Sequence, residues 1–367
     1  MERHGVSIPD MPFDEHREHA SDLYLKRRRV WITITPKIRA HIMLTQFSTM
    51  QMYFALLTLL PAFTAAVFDL PSSADQDERK LGIRSGKCKD RDPFGLVVIK
   101  SKRSLDDTYD AVIAELDALP PVTIILEFDH SANAVSVGLD LDPTRVVFFG
   151  NPVLGTPIMQ ANMFAGLDLP QKILVWEESD GSVFVGYNNP SFLVGRFGSR
   201  LLSEAKTELS TMANTLLETA SSAAGVSPSS VHVPSKTFLY KSGLTIRRSQ
   251  VDFETTYKQL LATVEAGPAT IDLTFDHSMN AASVGMDLGP SRLVVFGNPA
   301  AGNAFIAASQ TQGIDSPVRV LVTEVKGRVY VVANDLEFLS FRHSFCDLDI
   351  SGGVAGLDAL LTAATSK

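Results

Sequence analysis

The hydrophobic and polar positions fall into an aperiodic opening quarter and a remainder in which short apolar runs and helical stripes follow one order twice. Leu96-Val97-Val98-Ile99 is a compact apolar run suited to a buried strand. Ser104 stands before Asp106 and Asp107 as a helix N-cap, and Tyr109, Val112, Ile113 and Leu116 recur at helical spacing up to Pro120-Pro121. Val122 to Phe128 is β-branched and apolar and predicts a strand. Val135 to Leu139 and Arg145 to Phe149 predict two more, with Asp140 to Pro143 as the turn between them. Ile158 to Phe164 carries a helical pattern that Asp168-Leu169-Pro170 ends. Lys172 to Glu177 and Ser182 to Tyr187 form a hairpin about Asp180-Gly181. Leu201, Leu202, Ala205, Leu209, Met212 and Leu216 mark one long amphipathic helix, followed by a stretch rich in Ser, Ala and Pro.

The same succession returns from Leu244 onward, with a strand at Ile271 to Phe275 and a hairpin of Val320 to Val325 and Arg328 to Val332. A closing helix follows through Val354, Leu357, Leu361 and Ala364. Phe128-Asp129-His130 to Asn151-Pro152 superposes on Phe275-Asp276-His277 to Asn298-Pro299 by a shift of 147 positions, and 17 of the 24 positions from Asp129 to Pro152 are identical. A period this long is a duplicated domain, since solenoid units repeat every ~20–50 residues. The boundaries read as 92–222 and 237–367 with a linker at 223–236. The fold class is α+β: two similar α/β sandwich domains, each a mainly antiparallel sheet with packed helices.

Ahead of the repeats, 1–49 reads as a disordered basic extension containing Lys26-Arg27-Arg28-Arg29, 50–70 as a hydrophobic segment and 71–91 as a polar linker. No charge occurs from Gln51 to Phe68, and Pro61 interrupts the run. It reads as a signal anchor with one membrane span, or as a signal peptide started at Met43, Met50 or Met52 and cleaved near Thr64-Ala65-Ala66. Either reading sends the repeats to a membrane or into the secretory pathway; a buried helix in a cytoplasmic protein is the alternative. The composition, 45% hydrophobic and 20% charged, is that of a globular protein, and a net charge of −8 argues against nucleic acid as a partner. Cys88 and Cys346 have no metal-ligand spacing, and neither GxGxxG nor GxxxxGK[ST] occurs.

At the duplicated block the chain resembles the family of the domain of unknown function 302, also described as TT1751-like. The resemblance rests on Asp129-His130, Val137-Gly138, Phe149-Gly150-Asn151-Pro152, Asp168-Leu169-Pro170, Val175-Trp176-Glu177 and Tyr187. The second copy keeps Asp276-His277, Val284-Gly285, Phe296-Gly297-Asn298-Pro299 and Asp315, but has Ser316 before Pro317, Thr323 for the Trp and Ala333 for the Tyr. The resemblance implies a compact α/β fold and no assigned activity.

Candidate chemistry concentrates at two places in each copy. His130 and His277, each at a strand end beside Asp129 or Asp276, are the candidate catalytic residues as acid/base or metal-assisting groups; the competing reading is a capped turn with the imidazole bonded to backbone. Asn151 and Asn298, in the Gly-Asn-Pro turns, suit a tight strand exit. If a helix starts there, its free amides, with Lys172 or Arg319 nearby, suit a small molecule or an anion. The candidate ligand-binding set is therefore Asp129, His130, Asn151, Lys172, Asp276, His277, Asn298 and Arg319. One histidine in the core block of each copy is too few for a metal centre, so no metal is assigned, and no cofactor can be named. Three functions stay open: a binding module for a small ligand or partner, an enzyme, and a structural duplication. Pairing of the two domains about a pseudo-twofold axis would bring the histidine segments of both copies to one region.

Overall fold

The computed structural model describes residues 93–234 and 243–367. The basic extension, the hydrophobic segment 50–70 and Cys88 lie outside the described residues. Among the described residues no helix is long and apolar enough to cross a membrane.

The first repeat runs β1 (Leu96–Lys100), α1 (Leu105–Asp117), β2 (Thr123–Asp129), α2 (His130–Ser136), β3 (Thr144–Gly150), α3 (Pro152–Ala161), a 3₁₀ turn (Met163–Leu167), β4 (Gln171–Glu177), β5 (Val183–Asn188), α4 (Pro190–Phe197), α5 (Arg200–Glu204) and α6 (Lys206–Ala223). The second runs β6 (Leu244–Arg248), α7 (Phe253–Glu265), β7 (Thr270–Asp276), α8 (His277–Ala282), β8 (Ser291–Gly297), α9 (Pro299–Ala308), a 3₁₀ turn (Gln310–Ile314), β9 (Val318–Val325), β10 (Arg328–Asn334), α10 (Leu336–Arg342) and α11 (Ser351–Thr365). Each builds a five-stranded antiparallel sheet, in the orders β1-β5-β4-β3-β2 and β6-β10-β9-β8-β7. The predicted α+β architecture of two similar domains is what the chain adopts.

Central strands β3 and β4 are almost wholly buried because both faces of the sheet are covered. On one face Val147, Ile173, Val175 and Val185 pack beneath Val112 and Leu116 of α1 and Leu209, Met212 and Leu216 of α6. On the other, Val146, Phe148, Leu174 and Trp176 pack against Ile314, which belongs to the 3₁₀ turn of the second repeat. The exchange is reciprocal: Leu167, from the 3₁₀ turn of the first repeat, packs on Leu293, Val295, Leu321 and Val332 of the second sheet. Each repeat thus completes its partner's core with a short inserted turn.

Glycine makes the insertion possible. A Cβ on Gly313 would stand 2.8 Å from Leu174 Cδ1 and 3.0 Å from Thr144 Cγ2, and one on Gly166 would stand 2.7 Å from Met159 Cε and 3.1 Å from Leu321 Cδ1. A side chain at Gly313 would have to displace Leu174 of the opposite sheet, and one at Gly166 would press on Met159 of its own repeat and on Leu321 opposite.

One predicted strand is absent. Val135 to Leu139 lies at the end of helix α2 and the loop after it, and Val284 to Met286 behaves likewise after α8. The Asp129 carboxylate accepts from the Ala132 amide at 2.9 Å and starts the helix, and Gly138 at φ +75° follows its end. Val135 and Val137, which suggested a strand, are 66% and 44% exposed, so their alternation has no buried face behind it. The single long helix expected over Leu201 to Leu216 is two, α5 and α6, which meet at Ala205, and α4 precedes them.

Candidate functional site

The two histidines are positioned by their caps. His130 and His277 are the first residues of α2 and α8, directly after the capping aspartates, and each is 5% exposed. Their Nε2 atoms lie 3.0 Å from the Gly313 carbonyl and 3.1 Å from the Gly166 carbonyl, each on the inserted turn of the other repeat. A carbonyl oxygen only accepts, so each ring carries its proton on Nε2 and donates it. Burial pushes both imidazoles down to about 4, which keeps them neutral at neutral pH. Each ring also meets the edge of a preceding phenylalanine, Phe128 or Phe275, about 5 Å away. These histidines clasp one repeat to the other.

Asp129 and Asp276 cap and orient. Besides the helix amides they bind Arg145 Nε at 2.9 Å and Arg292 Nε at 2.8 Å. Asn151 and Asn298 accept from the amides of Val153 and Ala300, starting α3 and α9, with Pro152 and Pro299 at the first helical position.

Lys172 and Arg319, the candidate anion-binding cations, sit in a buried charge network between the repeats. Arg319 reaches Asp315 at 2.7 Å and Asp168 at 3.4 Å; Arg196 reaches Asp168 at 2.7 Å; Arg342 reaches Asp315 at 2.6 Å. The arginines also cross over, Arg196 donating to Asn334 at 2.8 Å and Arg342 to Asn188 at 2.5 Å. His343 completes the set, with Nε2 2.9 Å from the Asp315 carboxylate and Nδ1 3.0 Å from the Thr311 hydroxyl. Burial alone would raise the Asp315 carboxyl, but Arg342, His343 and Arg319 outweigh it and hold it well below the usual carboxylate range. Asp168 is held down in the same way by Arg196, Lys172 and Arg319. Lys172 Nζ has no hydrogen-bond partner and stands 5.8 Å from the Phe148 ring; burial and the nearby Arg319 pull it down to about 7.

Two cavities flank this network at equivalent places, each combining the Gly-Asn-Pro turn of one repeat with the histidine segment of the other. The first is lined by Gly150, Asn151, Phe275 and His277 and measures about 60 Å³. The second is lined by Gly297, Asn298, Phe128 and His130 and measures about 510 Å³. The closing helices account for much of the difference. Ala224 and Thr365 accept equivalent bonds, from the amides of Lys102 and Gln250, which aligns Met212, Thr215 and Leu216 of α6 with Gly353, Gly356 and Leu357 of α11. Side chains that fill the first cavity are therefore glycines beside the second. Leu154, Leu169 and Val122 in the first likewise face Ala301, Ser316 and Ala269 in the second.

The larger cavity also differs in polarity. Asp272, Asn303, Gln312 and Asn334 belong to its lining, and each carries one buried atom, Oδ2, Oδ1, Oε1 and Nδ2 in turn, without a hydrogen-bond partner. No such atom belongs to the described lining of the smaller cavity. Asp272 stands where the first repeat has Ile125, at the irregular step of the edge strand where register shifts between Ile271 and Leu273. Such a bulge re-aims the extra residue's side chain.

The structure thus brings His130, Asn298 and Arg319 to the lining of one cavity and His277 and Asn151 to that of the other, while Lys172, Asp129 and Asp276 are absent from both linings. Sequence reasoning missed Asp272, Arg196, Arg342, Asn188, Asn334 and the glycine pair. The spacing Asn188 to Arg196 does recur as Asn334 to Arg342, but at a shift of 146 rather than 147. Among the described residues no group of three or more His, Cys, Asp and Glu side chains is placed to hold a metal ion.

Comparison with known proteins gives a family and partial relatives. The family described as Domain of unknown function DUF302 matches residues 97–220 and 245–353, together more than half of the chain. The chain is 37% identical over 110 residues, 30% of its length, to a protein named fluoride-specific ion channel FluC 1 from Brucella suis, covering 43% of that protein. Similar proteins under the FluC 1 and FluC 2 names from Brucella abortus and Brucella melitensis match over 110 residues at 37% identity, covering 40% of each. The chain thus spans less than half the length of these curated relatives. A crystal structure of an uncharacterized conserved DUF302 protein from Bacillus stearothermophilus aligns at 18% identity and a TM-score of 0.31, over 36% of this chain and 98% of that one.

Proposed function

The chain belongs to the DUF302 family in both repeats, and from that premise we propose that it is a small-ligand-binding module with one working site, the cavity of the second repeat. The observation that carries this reading is a cavity of about 510 Å³ whose lining includes four polar residues that each hold a buried atom without a hydrogen-bond partner. Leaving a buried donor or acceptor unpaired costs roughly 1–3 kcal/mol each, so such a cluster is a cost that a bound molecule offsets. The volume suits a small molecule, since ligand pockets span roughly 300–1,000 Å³. Ser136, Ala301, Gly353 and Gly356 on the lining are exposed, which gives the cavity a way out to solvent.

The alternatives fare less well on the same observations. An enzyme working through His130 and His277 needs imidazoles that exchange protons near neutral pH, and these are neutral rings donating to a backbone carbonyl. An anion ligand needs a cation on the lining, and Arg319 is committed to two carboxylates. The channel name of the Brucella proteins belongs to proteins of which this chain shares less than half.

The test is a screen of the full chain against monocyclic aromatic compounds by ligand-observed NMR. Binding of one equivalent is expected, abolished by Gly356→Met, whose side chain has open space to enter. A screen without binders, or binding indifferent to Gly356→Met, overturns the proposal and favours a structural duplication.

A further inference from the structure

Resting on that reading of the second cavity, we infer that its ligand is a small organic amine, an ammonium carried on an apolar body, recognised by the Asp272 carboxylate. Three observations carry the inference. Of the four unpartnered atoms, Asp272 Oδ2, Asn303 Oδ1 and Gln312 Oε1 are acceptors and only Asn334 Nδ2 is a donor. Their orientations follow from bonds already made: Asn334 turns its oxygen to Arg196, Gln312 gives its nitrogen to Ser316, and Asn303 gives its own to the Asp140 carbonyl. Lining residues whose unpaired atoms are mostly acceptors favour a donor-rich group, and an ammonium offers three N–H donors and no acceptor.

The charges point the same way. The ionisable residues on the lining are His130, Asp272, Asp315 and Arg319. His130 is neutral, and Asp315 and Arg319 neutralise each other within the inter-repeat network. Asp272 has no ion-pair partner among the described residues, and burial raises its carboxyl to about 6, leaving it mostly ionised at neutral pH. An uncompensated carboxylate in a half-buried site is an unfavourable arrangement that a cationic ligand resolves. The first repeat offers an internal control. Ile125 occupies the equivalent step with its Cδ1 3.2 Å from a Cβ built on Gly150, whereas Asp272 Oδ2 is 3.5 Å from one built on Gly297. The same backbone step thus places a methyl group beside Gly150, at a residue absent from the lining of the smaller cavity, and a carboxylate beside Gly297, at a residue on the lining of the open one. The rest of the open lining, including Phe128, Phe296, Phe305, Leu339 and Leu357, supplies an apolar wall for the ligand body.

The test compares three probes of similar shape on the full chain at pH 7.5: 2-phenylethylamine, 2-phenylethanol and 3-phenylpropionate. The amine is expected to bind about 10-fold or more tighter than the alcohol, as a charge-assisted bond of at least ~1.4 kcal/mol requires, with the acid weakest. Asp272→Asn, close to isosteric, should erase the advantage of the amine while the protein stays folded by circular dichroism, and Asp272→Ile should do the same in the manner of the first repeat. Equal binding of amine and alcohol, both lost in Gly356→Met, overturns the amine assignment while the cavity reading stands. Failure of all three probes to bind the wild-type chain overturns the amine assignment here, and the wider compound screen then decides the cavity reading separately.

Discussion

Lowering the pH from 7.5 to 5.0 should destabilise this protein through three histidines that the fold keeps neutral. His130, His277 and His343 are buried, and burial brings each from an ordinary value near 6.5 down to about 4. For such a group the unfolded chain binds a proton that the folded chain refuses. Stability is therefore intact above about pH 6.5 and is lost progressively as the pH falls toward 4. Between pH 7.5 and 5.0 each histidine contributes a loss of about 2 kcal/mol, or roughly 6 kcal/mol for the three. Asp272 acts with the opposite sign. Its carboxyl, raised to about 6, takes up a proton in the folded state first, and because the group is about half open to solvent it returns at most about 1 kcal/mol over the same interval. Asp168 and Asp315 are held below the usual carboxylate range, so their loss of stability begins only at lower pH. Lys172, pulled down to about 7, adds a loss of about 0.8 kcal/mol over the same interval, so the net expectation is a fall of roughly 5–6 kcal/mol, read from urea unfolding curves at pH 7.5, 6.5, 5.8 and 5.0. Replacing both clasps, His130→Gln with His277→Gln, keeps a donor at each site but removes the titration, and should flatten the profile by about 4 kcal/mol. A wild-type fall below about 1 kcal/mol, or a double variant as pH-sensitive as the wild type, would refute the placement of neutral, buried imidazoles at the repeat interface.

Arg342→Ala should cost about 3–5 kcal/mol in chemical denaturation, because it strips a buried partner from Asp315 and leaves Asn188 and the Phe94 carbonyl without their donor. Arg145→Ala, at a pair open to solvent, should cost at most about 1 kcal/mol in the same assay. Lys172→Met should leave stability within about 1 kcal/mol of wild type by thermal and urea unfolding, since it removes a buried ammonium that makes no hydrogen bond; a large loss would mean that its charge balances the network. Met212→Ala should enlarge the smaller cavity and cost about 2–4 kcal/mol by urea unfolding, without weakening any ligand displaced by Gly356→Met.

The strands and the duplication were legible because they depend on local pattern. Leu96 to Ile99, Val122 to Phe128 and the hairpin at Asp180-Gly181 all fold as their β-branched content and turn residues dictate, with Gly181 at φ +81°. The stretch Val135 to Leu139 misled because alternation reports a strand only where one face is buried, and here the Asp129 cap outweighs it. The histidines were legible as residues but not as clasps. Their partners, Gly313 and Gly166, lie 183 and 111 positions away and contribute only a carbonyl, which no side-chain pattern records. The open cavity was hidden for a similar reason. Its chief determinants are absences, Gly353 and Gly356 where α6 has Met212 and Thr215, and a carboxylate, Asp272, on a strand that otherwise reads as apolar filler.

The exchanged 3₁₀ turns have a consequence for how the two halves change over time. In an assembly of two identical chains every substitution lands twice, so a helix that loses its bulk to open one pocket opens both and pays the packing penalty in duplicate. Joining the halves in one polypeptide removes that constraint and makes their association independent of dilution. One half can keep Met212 and stay solid while the other carries Gly353 and becomes hollow, each still borrowing the turn that covers its sheet.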